Sequence, residues 1–98
     1  MQFSLTRIVR TPHSERYVLS DPNSGQDSGA LELHFLPDGT VAATLILFES
    51  AGLAEDQVPH LLQQIDEELL PKASLEERNL SFTVVVGRVL GSFVPEKT

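Results

Sequence analysis

Between Ala30 and Phe35 the chain alternates apolar and polar side chains, with Leu31, Leu33 and Phe35 on one side and Glu32 and His34 on the other. This period of two is that of a half-buried β-strand. A Pro37-Asp38-Gly39 triplet follows, with proline suited to the second position of a type I turn and glycine to a left-handed residue. The chain then resumes as "TVAATLILFE". With Leu36 and Thr40 flanking the turn, Phe35 falls opposite Val41, Leu33 opposite Ala43 and Leu31 opposite Leu45. The two segments therefore form a hairpin with one apolar face, continued by Leu47.

After Gly52 the period changes. Val58, Leu61, Leu62, Ile65 and Leu69 are spaced by three and four, an apolar stripe of helical pitch. Asp56 is the expected N-cap, Pro59 is tolerated because it lies in the first turn, and Pro71 ends the helix after Leu70. Gln63, Gln64, Asp66, Glu67 and Glu68 form its polar face. Ser74 and Glu77 have capping-box spacing for one further helical turn.

Upstream, "FSLTRIVR" (residues 3–10) has partial alternation, with Phe3, Leu5 and Val9 on one side. "RYVLS" (residues 16–20) is short and β-branched, and each segment predicts a strand. "LSFTVVV" (residues 80–86) predicts the last strand, and the two glycines of "GRVLGSFV" are expected to bend its continuation rather than reverse it.

The order is β-β-β-β-α-β. It predicts an α+β fold: a largely antiparallel sheet of about five strands with one principal helix packed on one face. Ninety-eight residues suffice for one domain, spanning 1–98, with a flexible loop at about 21–29 and a loose tail at about 95–98.

Charge narrows the function classes. The net charge of −7 is unevenly distributed: residues 21–79 carry twelve acids against Lys72 and Arg78. An acidic surface of this kind repels nucleic acid and anionic membrane, so neither is expected as a partner. The absence of cysteine removes thiolate chemistry and cysteine-bound zinc. No leader-like segment or membrane-length apolar run is visible, which makes a soluble, cytoplasmic protein the expectation. No motif implies a cofactor.

The hairpin parity puts Glu32, His34, Ala42, Thr44, Ile46 and Phe48 on the face away from the helix. Towards Ile46 and Phe48, joined by Val85, that face is apolar, and a second copy of the chain or another protein would cover it. A protein-binding or assembly module, without catalysis, is therefore the leading expectation. The second is a small-ligand-binding protein or enzyme using Glu32 and His34, with Thr44 beside them. Arg7, Arg10, Arg16 and Arg88 would form an anion patch if the first, second and last strands were neighbours.

A third expectation comes from "DPNSGQDSGALE" (residues 21–32). Asp21, Asn23, Asp27 and Glu32 reproduce the oxygen spacing of a calcium loop, although Gln26 stands where such a loop needs glycine. The flanking segments also read as strands rather than helices. Loop chemistry explains the composition better.

Overall fold

The computed structural model describes residues 3–69 and 79–95. Four strands run as an antiparallel meander: β1 (Ser4–Arg10), β2 (Ser14–Ser20), β3 (Asp27–Phe35) and β4 (Val41–Phe48). Two short 3-10 turns, Glu49–Ala51 and Glu55–Gln57, lead into helix α1 (Val58–Leu69). Strand β5 (Leu80–Gly87) then lies parallel to β4, and the sheet order is β1-β2-β3-β4-β5. A parallel neighbour needs a crossover, which is why the helix stands between β4 and β5. The fold is α+β in the predicted order.

The β3–β4 register is the expected one: Phe35 pairs with Val41, Leu33 with Ala43 and Leu31 with Leu45. Gly39 has φ 87° and its N–H donates to the Leu36 carbonyl at 3.0 Å, so the turn needs a residue that tolerates the left-handed region. Asp38 holds the turn from the side, its Oδ1 accepting the Thr40 N–H at 3.0 Å and hydroxyl at 2.6 Å. These bonds hold the Asp38 carboxyl below its ordinary pKa.

The core lies between this sheet and α1. Leu19, Leu31, Leu33, Leu45, Leu61 and Ile65 are its largest fully buried side chains. Of the helical stripe, Leu61 and Ile65 are fully enclosed, while Val58, Leu62 and Leu69 pack at its margin. Full burial of an aliphatic side chain is worth about 1.5–3 kcal/mol, so these two carry most of the helix's docking.

Several local devices differ from expectation. Asp56 does not cap α1. It sits inside the second 3-10 turn, and Gln57 reaches back instead, its Oε1 accepting the Ala54 N–H at 2.9 Å. Gln64 leaves the polar face and clamps the chain start. Its amide nitrogen donates to the Phe3 carbonyl at 2.9 Å, and its oxygen accepts the Phe3 N–H at 3.3 Å. A bulge between Arg7 and Val9 turns Val9 away from the side of Phe3 and Leu5, setting it opposite Arg16. Strand β3 begins at Asp27, which shortens the preceding connection to residues 21–26. Strand β5 ends at Gly87, and residues 88–95 continue without regular structure. The expected Pro71 stop and the turn at Ser74–Glu77 lie outside the described residues.

Gly29 of β3 lies directly against the β4 backbone at Ile46. A Cβ there would run into the Ile46 backbone carbonyl. Gly29→Ala is expected to cost about 1–3 kcal/mol, as overpacking against backbone does, and to lower the melting temperature of this small domain by roughly 4–20 °C. Differential scanning calorimetry measures it.

Candidate interaction surface

Sheet parity assigns two rows of side chains to the face opposite α1. The first joins Val18 of β2, Ala30 of β3, Ile46 of β4 and Val85 of β5 as successive cross-strand neighbours. Phe48 extends it one step along β4. The second row joins Arg16, Glu32, Thr44 and Thr83 in the same manner. An apolar band thus runs across the sheet beside a polar one.

The apolar band remains incompletely covered. Ile46, Phe48 and Val18 are half-buried, and Val85 is 45% exposed. The segment after β5 does not fold over them, because Leu90, Phe93 and Val94 are themselves more than 80% exposed. Sequence parity therefore placed Ile46, Phe48 and Val85 together correctly. It missed Ala30, which the hairpin register pairs with Ile46, and Val18, whose membership depends on β2 lying beside β3.

In the polar band Glu32 stands between two basic side chains. One carboxylate oxygen is 3.8 Å from Arg16 Nε and the other 3.9 Å from His34 Nε2. All three side chains are at least 38% exposed, and exposed pairs of this kind are worth at most about 1 kcal/mol. Thr44 is the neighbour of Glu32 on β4, as expected. The group lies on an open sheet face, where it can orient a charged or hydrogen-bonding surface.

The four arginines do not converge. Strands β1 and β2 occupy one side of the sheet, while Arg88 follows β5 at the opposite edge. Arg7 and Arg16 are also divided between the two faces. Arg7 turns to Glu15 at 3.6 Å, and Arg16 turns to Glu32. The expected patch required β5 next to β1 or β2, and the parallel crossover puts it next to β4.

The loop at residues 21–26 closes on itself. Asp21 N–H donates to the Gln26 carbonyl at 2.9 Å, and Asp21 Oδ1 accepts the Asn23 N–H at 2.8 Å. Asp27 belongs to β3, and Glu32 takes its direction from the open sheet face. The calcium-like spacing therefore spans two structural units. Among the described residues no group of three or more carboxylate or histidine side chains is arranged to hold a metal ion.

The other new feature is the end of β5. Val84, Val85 and Val86 are 37%, 45% and 64% exposed, although they sit in a regular strand. A cleft of about 480 Å³ on the helix side separates Val84 and Val86 from Leu53, Val58 and Pro59. A second, of about 500 Å³, lies between Phe48 and Val89 at the strand's end. The uninterrupted Val84-Val85-Val86 run was the available signal, since such runs belong to strands covered on both faces.

The chain matches no family model, no curated protein and no solved structure. Among the described residues no helix is long and apolar enough to cross a membrane.

One titratable group on the helix side is shifted. Burial, reinforced by the hydrogen bond its hydroxyl donates to Glu15 at 2.6 Å and by that carboxylate's charge, raises the Tyr17 phenol above its ordinary value of 10.0. The stabilisation from the neutral phenol is then complete below the unfolded value and disappears as pH rises through the folded one. Tyr17 is the sole tyrosine. Its phenolate absorbance is expected to titrate above pH 10 in the folded protein and near 10 in denaturant. Tyr17→Phe should remove that alkaline loss of stability.

Proposed function

We propose that this chain is a protein-binding or assembly module, acting without catalysis through its open sheet face and the adjoining β5 edge. The observation that carries this reading is the continuous apolar surface formed by Val18, Ile46, Phe48 and Val85, which the C-terminal segment leaves uncovered. Contiguous apolar surface rimmed by polar groups is the usual mark of a protein interface. Here the rim is the Arg16–Glu32–His34 row, which would set a partner's orientation. The acidic composition favours protein partners over nucleic acid.

Placing a carboxylate in the apolar band tests the reading. Phe48→Asp and Val85→Asp are expected to weaken association at least tenfold, whether with a second copy or with a protein captured in fixed stoichiometry. Both should change the melting temperature by only a few degrees, since neither side chain belongs to the enclosed core. Sedimentation and quantitative capture are the measurements. A wild-type chain that binds nothing, or variants that bind as well as wild type, would overturn it.

A further inference from the structure

The two edges of the sheet are built differently. Strand β1 carries Arg7 and Arg10 and a bulge at Ile8, devices that discourage another strand from pairing with it. Strand β5 has neither charge nor proline and keeps an unbroken register with β4 over its whole length. Over Val84, Val85 and Val86 it is apolar towards both faces, as in a strand flanked on both sides. Yet it is an edge strand.

The same chain carries an apolar segment suited to that edge. Residues 88–95 do not pair with β5 in the sheet, and Gly87 lacks the left-handed φ of a tight hairpin turn. Val89 and Leu90 are 58% and 84% exposed, and Phe93 and Val94 are 88% and 83%. An open edge and an exposed apolar segment therefore follow one another on one chain, where they do not pair.

We infer that a second copy of this chain completes the edge, each copy laying residues 88–94 antiparallel along the other's β5 about a two-fold axis at Gly87. This rests on the assembly-module reading and names its partner. The register is self-complementary. Val84 faces the second copy's Leu90, Val85 its Val89 and Leu80 its Val94, with Gly87 against Gly87 at the axis. Residues that pair share a face, so the second copy's Leu90 enters the cleft beside Val84 and Val86.

Charge and area favour the same occupant. Residues 80–94 contain no acid and a single base, Arg88, so two copies of a chain carrying −7 meet where neither is negative. The seven exposed valine, leucine and phenylalanine side chains from Val84 to Val94 present roughly 800 Å² per copy, about what each partner contributes to a stable interface. A two-fold arrangement uses both edges and stops at two.

The chain has no cysteine, so one introduced cysteine reports the axis directly. A side chain at Gly87 meets open space, and residues opposite each other in an antiparallel pair lie within disulfide reach. Oxidised Gly87→Cys is expected to become a covalent dimer, whereas Ser4→Cys on the far edge stays uncrosslinked. In sedimentation the wild type should form a closed dimer, and Leu90→Asp should shift it at least tenfold towards monomer without lowering the monomer's melting temperature. A wild type that stays monomeric at high micromolar concentration, polymerises without limit, or dimerises with Gly87→Cys uncrosslinked would overturn the inference. If that monomer still captures a different protein through Phe48 and Val85, the module reading survives. If it captures nothing, both fail.

Discussion

The β3–β4 register is the constraint from which the rest of this molecule follows. It is pinned by a left-handed Gly39 and the Leu36–Thr40 hydrogen bond. It puts Leu31, Leu33, Ala43 and Leu45 on one face. A slip by one residue would exchange the faces and drive Glu32 and His34 into the core. Burying such groups without full compensation costs several kcal/mol, which is a large part of the stability of a domain this size. Strands β2 and β5 inherit the same parity. Tyr17 lies beside Leu31, Leu31 beside Leu45, and Leu45 beside Val84. One turn thus decides which side chains meet α1 and which remain open.

What could be read from the sequence follows from this. The period of two around Leu31–Leu47 and the period of 3.6 around Val58–Leu69 are local properties, and both survive in the structure. The open-face placing of Ile46 and Phe48 followed from local parity, and Val85 joins them through the β4–β5 pairing. Features that depend on which elements become neighbours were not legible. The bulge at Ile8 belongs to the pairing of two strands, so Val9 could not be assigned a side from β1 alone. Gln64 looks solvent-facing in its own helix and becomes a clamp only because Phe3 passes beneath it. The arginine patch failed for the same reason, since the strand order separates Arg88 from Arg16.

The capping of α1 illustrates a subtler competition. Asp56 is a good cap by residue type, but a 3-10 turn begins earlier, at Glu55, and takes Asp56 into its interior. The exposed N–H at Ala54 is then reached by Gln57, three residues on. Acidic Glu55 and Asp56 still precede the helix, where negative charge is favourable. Residue type thus indicated the right terminus and the wrong device.

The polar and apolar bands on the open face divide the work that recognition requires. Val18, Ile46 and Val85 offer area without direction, so alone they would accept an apolar surface in several orientations. The Arg16–Glu32–His34 row adds little affinity, because its members remain hydrated. It does impose direction: a partner that set a carboxylate against Glu32 would meet like charge, while one that set it against Arg16 would not. The β5 edge adds a second kind of selectivity, because backbone hydrogen bonds accept only an extended chain. In the proposed dimer that backbone pairing fixes the register, and the valines and Leu90 add area once the register is set. A polar row, an apolar row and an open strand on one molecule therefore select a partner by charge, by area and by backbone geometry at once.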